Sequence, residues 1–206
     1  MKNIFEQHKL NFTEQLIVLS AVSDIPLLIV HDPFMTKKLD ELSKEVMAKA
    51  VLKQPIFGRF DPYQPIFEQV SMSPKQLSEF ELIYVLRDIP ERSRDTEEAE
   101  FLLNNKINYD SKQLNADIEE ARKLKPMLNK EAKQAITAFY VEVRNKPDVA
   151  DDLVKPIPVT SSQILTMKKL TEAFAKLRFS NEANKEDAMN AVGVMKGMLS
   201  SVGFEC

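Results

Sequence analysis

Glycine is scarce in this chain of 206 residues: there are four, Gly58, Gly193, Gly197 and Gly203, and none precedes position 58. A phosphate-binding loop needs backbone N–H groups converging without Cβ obstruction, so the glycine-free N-terminal stretch cannot supply an ordinary one. Cysteine is nearly absent too. The single Cys206 excludes an intrachain disulfide framework and any cysteine-based metal site, fits a reducing interior, and reads as a surface thiol without an assigned role. An excess of positive charge is missing: the net charge is −3, with 29% charged residues, so no basic balance argues for nucleic acid. Histidine occurs only as His8 and His31, with no acid–His spacing that suggests a metal site or a nucleophile triad. No apolar run approaches the roughly 18 residues of a membrane span, and the Met1-Lys2-Asn3 start lacks an apolar secretory core. The expectation is an intracellular protein without a membrane partner, cytoplasmic in a prokaryotic or archaeal cell.

What is present is an α/β pattern followed by helices. Asn11 or Thr13 precedes an apolar helical stretch over 11–22. Pro26 to Asp32 is a short apolar run bounded by turn residues, a buried strand, and Leu39, Leu42 and Val46 then recur at helical spacing over 36–46. A second strand is expected over 47–53. The third is Phe80 to Leu86, whose aromatic and β-branched residues suit a strand buried on both faces, and Asp88-Ile89-Pro90 turns the chain after it. Glu91 to Lys106 is helical by pattern, with Ala99, Leu102 and Leu103 on one face and an acidic first turn. The asparagine-rich stretch that follows places a domain boundary near 107–112. Beyond it the pattern gives helices only: 114–124, a helix capped by Asn129, a proline-containing loop over 146–158, a helix from Thr160, and one capped by Asn184.

Three blocks of residues carry a resemblance. The first is Leu77-Ser-Glu-Phe-Glu-Leu82 running into the third strand. The second is Gly58-Arg-Phe-Asp-Pro62 after Gln54-Pro55. The third is C-terminal: Phe139-Tyr-Val-Glu-Val-Arg144, Ile157-Pro-Val-Thr-Ser-Ser-Gln163, Leu170 to Ser180 and Glu186-Asp-Ala188. In order and spacing they resemble the MCM replicative helicases, whose AAA+ core is followed by a helical lid. The resemblance implies a truncated AAA+ core over 1–108 and a lid over 109–206. The chain between Walker A and sensor 1 is short, so the stretch that would hold the Walker B strand and its neighbours has no counterpart. Removing strands 2 and 3 from the AAA+ order 5-1-4-3-2 leaves 5-1-4 contiguous, a parallel sheet of about three strands with a helical crossover between the first two.

The same resemblance locates the functional positions. The family's variant Walker A falls on His31-Asp-Pro-Phe-Met-Thr-Lys-Lys38, where both glycines are replaced, by His31 and Phe34, Lys37 keeps the lysine place and Lys38 replaces the magnesium-binding hydroxyl. Gln54 stands at sensor 1, Glu79 at the arginine finger and Ser162 at the sensor 2 arginine. Hydrolysis needs a phosphate cradle, a metal hydroxyl, acidic residues and arginines that neutralise the γ-phosphoryl, and fingers alone are worth about 10³–10⁵ in rate in well-studied GTPases. With these parts substituted, no ATP or magnesium cofactor and no enzymatic activity is expected. Lys37 reads as a solvated first-turn residue or a residual anion contact. The expected role is a regulatory or interaction module that binds MCM subunits or other replication proteins, with DNA binding weak, through Glu79, Arg59 and Asp61. Asp61 alternatively serves only its turn. A partner-dependent ATP- or DNA-binding subunit, or a structural remnant, are the alternatives. Arg87, Arg92 and Arg94 read as helix-entry salt bridges, and Lys168, Lys169, Lys176 and Arg178 as a solvated basic face. Met195 and Met198 read as core, or with Val194 and Val202-Gly-Phe204 as a docking surface.

Overall fold

Three parallel strands, each beginning after a turn, set the frame on which the helices pack. The computed structural model describes residues 3–31, 36–61, 63–87, 90, 92–104, 110–145 and 160–202, and gives backbone but not side chains at 36–38, 94, 97, 98, 101, 102 and 104. The N-terminal elements are α1 (Ile4–Gln7), α2 (Phe12–Ser23), β1 (Leu27–His31), α3 (Thr36–Glu45), β2 (Ala50–Lys53), α4 (Ile66–Gln69), α5 (Pro74–Leu77), β3 (Leu82–Leu86) and α6 (Arg92–Asn104). The remainder comprises α7 (Ser111–Lys123), β4 (Met127–Leu128), α8 (Lys130–Arg144), α9 (Ser161–Leu177), β5 (Glu182–Ala183) and α10 (Lys185–Ser201).

The sheet has the order β2-β1-β3, with Leu27 opposite both Ala50 and Leu82. As the two-residue period requires, Leu27, Ile29, Leu82 and Tyr84 enter the main core, while Leu28, Val30 and Val85 meet a smaller cluster that includes Phe60 and Val70. Every residue of β1 is buried, as expected of a strand covered on both faces. Each such aliphatic side chain contributes about 1.5–3 kcal/mol by leaving water.

β2 is shorter than the sequence pattern suggests. Met47 adopts a left-handed φ of 49°, and the N–H groups of Met47 and Ala48 return to carbonyls of Lys44 and Ser43, so 47–49 leave α3 as a turn. The C-terminal part is not helices only. β4 and β5 pair in parallel, Met127 with Glu182 and Leu128 with Ala183, a pairing of two residues that no periodicity can signal. α6 is helical as read, but Leu103 is 86% exposed and Ala99 is exposed as well, so that apolar stripe does not reach the core. The side chain of Leu102, the turn at Asp88-Ile89, the stretch 107–109, the loop 146–158, and Gly203, Phe204 and Cys206 lie outside the described residues.

Caps fix where the helices begin. Asn11 and Glu14 form a reciprocal capping box on α2, Asp110 accepts from Lys112 and Gln113 on α7, and Asn129 and Asn184 cap α8 and α10. One apolar cluster then joins α2, β1 and β3 to α7, α8, α9 and α10. Three polar locks reinforce it. The Arg122 guanidinium on α7 donates to Ala21 C=O (3.0 Å), to Val46 C=O (2.9 Å) and to Met47 C=O (3.3 Å), satisfying carbonyls at the ends of α2 and α3. Tyr84 on β3 donates its hydroxyl to Val194 C=O on α10 at 3.0 Å. His8 Nε2 meets Asp117 Oδ2 at 2.8 Å, joining the segment after α1 to α7 across 109 positions of sequence. The sequence suggested no role for His8, because such a separation leaves no spacing to read.

Candidate interaction surface

Parallel strands that start in register end together. The carboxyl ends of β1, β2 and β3 therefore bring His31, Gln54 and Arg87 to one edge of the sheet. Lys37 lies in the first turn of α3, which leaves β1 at this same edge. In open α/β sheets this edge is where ligands bind. His31 is buried, 3% exposed, and Gln54 is exposed. Asp32, Pro33 and Phe34 lie outside the described residues, as do the side chains of Lys37 and Lys38. Among the described residues no group of His, Cys, Asp or Glu could hold a metal ion.

The segment after Gln54 covers the second face of the sheet and is tied by one buried amide. Gln69, 1% exposed, accepts from Asp61 N–H (2.6 Å) and donates to Asp61 C=O (2.8 Å) and Gln64 C=O (2.9 Å). Asp61 Oδ1 accepts from Tyr63 N–H at 2.9 Å, the side-chain turn that an aspartate forms with the backbone two residues on. This is the turn reading of Asp61. Gly58 is required at its φ of +75°, where its N–H donates to Pro55 C=O. Phe60 is buried beneath the turn, while Arg59 is exposed. The same segment leaves Ile56, Phe57 and Tyr63 exposed at 54%, 76% and 95%, with Phe67 at 38%. Sequence reasoning missed these side chains. Their signal was weak: aromatic residues among Pro55, Pro62 and Pro65, in a stretch with no helical or strand period. Large apolar side chains left in water on one segment are a feature of interaction sites.

Glu79 lies at the other end of the sheet. It precedes β3, follows the short α5 capped by Ser73, and is exposed. The structure thus places Glu79 and Lys37 at opposite edges, so the two do not meet within one copy. Glu81, two residues on, accepts from Thr166 Oγ1 on α9 at 2.9 Å and from Lys169 Nζ. That contact holds the first half of α9 beside the Glu79 edge. Ser162 lies about one turn before Thr166 and is exposed, within the α9 cap made by Thr160 and Gln163.

Two members of the basic face read as solvated are engaged instead. Lys169 pairs with Glu81. Arg178 makes two bonds to Asp187, at 3.0 and 2.7 Å, and a third to Glu182 C=O at 2.6 Å. The Asp187 hydrogen bond raises the Arg178 pKa above its ordinary value, and Asp187, 3% exposed, also accepts from Asn184 N–H to close the α10 cap. Neither partner stands at a helical spacing from the other, so the pair could not be read from sequence. Lys168 lies 3.7 Å from Glu172. Val194, Met195 and Met198 are buried in the core, which settles the last helix as packing there rather than docking, with Val202 exposed. Arg87 is half-buried, Arg92 is exposed, and the Arg94 side chain lies outside the described residues. Among the described residues no helix is long and apolar enough to cross a membrane.

Comparison with known proteins bears on both halves. Residues 43–106 match the MCM P-loop domain and residues 112–199 match the MCM AAA-lid domain. The minichromosome maintenance protein MCM of Saccharolobus solfataricus is 33% identical over 159 residues, covering 73% of this chain and 23% of the relative. An uncharacterized MCM-type protein of Methanocaldococcus jannaschii is 24% identical over 172 residues, covering 73% and 24%. The DNA replication licensing factor MCM4 of Arabidopsis thaliana is 31% identical over 152 residues, covering 69% and 18%. The chain spans about a quarter or less of the length of these relatives.

Proposed function

The chain belongs to the MCM family, and from that premise we propose that it is a non-hydrolysing, replication-related module that binds MCM subunits. The observation that carries this reading is the placement of Glu79, exposed at the edge opposite Lys37. A group at that edge can reach only another subunit's nucleotide. There a carboxylate replaces the arginine that the family resemblance implies, the wrong sign for stabilising charge on a γ-phosphoryl. In this reading β2, β1 and β3 stand for the AAA+ strands 4, 1 and 5, and the neighbouring chain that would hold Walker B has no counterpart. The side chains of Ile56, Phe57 and Tyr63 supply apolar contact with the neighbouring subunit, and Arg59 a charged rim. Lys37 without its glycines, Lys38 in place of a hydroxyl, and Gln54 at sensor 1 give no complete site for Mg-ATP.

The test adds the purified chain to an intact MCM of the same source while ATP hydrolysis and unwinding are followed, with light scattering to detect a mixed complex. Incorporation with a falling rate is the expected result, and Glu79→Arg should restore part of that rate. An unchanged rate at saturating ratio refutes the reading. One observation favours a second reading, a partner-dependent nucleotide-binding subunit: Lys37 and Gln54 share the carboxyl edge of the sheet. Micromolar Mg-ATP binding by calorimetry would select it.

A further inference from the structure

The small sheet of the C-terminal part has an open side. Met127 N–H donates to Asn181 C=O at 3.1 Å and Asn129 N–H to Ala183 C=O at 3.0 Å, which ties β4 to β5. In a parallel ladder the residue between two such donors turns both its N–H and its C=O away from the partner strand. Leu128 is that residue, and among the described residues neither group meets a hydrogen-bond partner. Water or another chain is left to supply one.

This open edge borders a cleft of about 420 Å³ between β4, α8 and α9. Alternation along β4 turns the half-buried Leu128 inward beside buried Ala183, while Met127, 77% exposed, faces out. Ile136 on α8 and Ile164 on α9 extend the inward wall. Lys133 stands one helical turn before Ile136, and Lys168 and Glu172 one and two turns after Ile164, so each helix presents a single face to the cleft. Positive charge prevails around it. Lys125 and Lys130 bracket β4, and these two and Lys133 are exposed, with no ion pair among the described residues. Lys168, also exposed, lies 3.7 Å from Glu172.

We propose that β4 accepts an extended acidic segment of a partner protein as an added antiparallel strand. The partner residue opposite Leu128 exchanges two backbone hydrogen bonds with it: its N–H donates to Leu128 C=O, and its C=O accepts from Leu128 N–H. Directly opposed side chains share a face, so an apolar side chain on that residue enters the cleft towards Ile136 and Ile164. Acidic residues on either side of it then meet the lysines around the edge. A nucleic-acid strand would suit the lysines but not the edge, because its phosphates offer no donor to Leu128 C=O and are repelled by Glu172. The site does not rest on the subunit contact at Glu79, since α9 turns Thr166 and Lys169 towards Glu81 and a different face towards the cleft.

The probe is a nine-residue peptide with a central leucine and glutamates on both sides, titrated into the full chain at low salt. Amide shifts should map to Leu128 and to the cleft faces of α8 and α9. Methylating the backbone nitrogen of the central leucine removes one donor and keeps charge and side chain, and should weaken binding about tenfold. Exchanging the glutamates for lysine should weaken it by about tenfold as well, and 1 M salt should reduce that ratio towards one. The double variant with Lys133→Glu and Lys168→Glu should prefer the lysine peptide. Equal binding of the methylated and unmethylated peptides would overturn the strand addition, and so would no binding at millimolar peptide; both comparisons use the unaltered chain. A single-stranded oligothymidylate that shifts the same amides at lower concentration than the peptide would overturn the acidic occupant. So would self-association of the chain that the peptide disrupts, because a second copy would then hold the edge.

Discussion

Replacing Gly197 by alanine should separate β3 from α10. Glycine-to-alanine changes inside a helix ordinarily stabilise by about 0.8–1 kcal/mol, and Gly193, exposed and with nothing within 4 Å of a built Cβ, should show that gain. At Gly197 a Cβ would lie 2.1 Å from Tyr84 Oη, well inside contact distance. Tyr84 is 3% exposed and packs edge-on against Phe12, ring centres 5.5 Å apart, so its ring has little room to withdraw. Overpacking of this kind costs about 1–3 kcal/mol, and losing the bond to Val194 C=O adds about 1–3 more. Against the propensity gain, Gly197→Ala should destabilise by roughly 2–4 kcal/mol. Tyr84→Phe removes the clashing oxygen and leaves Cζ at 3.2 Å, a contact that a few tenths of an ångström relieve. Urea melts of the four chains of this cycle should therefore give a favourable coupling of about 2 kcal/mol or more between Gly197→Ala and Tyr84→Phe. If Gly197→Ala stabilises as Gly193→Ala does, or the two changes simply add, the packing argument fails.

Burial pushes the Tyr84 hydroxyl from 10.0 up to about 12, so it stays protonated in the folded state where an unfolded chain would have ionised it. Its contribution is complete below pH 10 and is lost as pH rises from about 10 to about 12. Across that window the wild type should lose roughly 2–3 kcal/mol more stability than Tyr84→Phe, and equal losses would contradict the shift. Arg122→Ala should destabilise by about 2–3 kcal/mol, since three carbonyls at helix ends lose a charged donor; a change under about 0.5 kcal/mol in urea melts would deny it that role. Asp187→Ala removes the carboxylate half of the α10 capping box and the two bonds to Arg178, leaving the Asn184 side-chain cap in place, and a fall of about 2–4 kcal/mol is expected, whereas a melting temperature within a degree of wild type would refute it.

Much of the framework was legible without coordinates. The 27–31 and 82–86 strands announce themselves as short runs of aliphatic and β-branched residues, because a strand covered on both faces has no polar side to show. Asn11, Asn129 and Asn184 mark helix starts because a side-chain oxygen there replaces a missing carbonyl partner, a purely local requirement. The resemblance at 58–62, 77–82 and 139–188 was carried by residue identity, and both matched domains fall on it.

What stayed hidden depends on which distant segments touch. A period of 3.6 cannot show that Ala99 and Leu103 face water, because exposure depends on what packs opposite α6 and not on α6 itself. His8 with Asp117, Arg122 with the ends of α2 and α3, and Glu81 with Thr166 and Lys169 each join positions far apart in the chain. The sequence by itself determined the helix caps, the strands at 27–31 and 82–86 and the family, since these rest on nearest neighbours and residue identity. Tertiary structure alone decided that Lys37 and Glu79 lie at opposite edges, and that α8 and α10 run side by side from the β4–β5 pair. Both follow from strand register and helix direction, which are fixed only when the chain closes on its core.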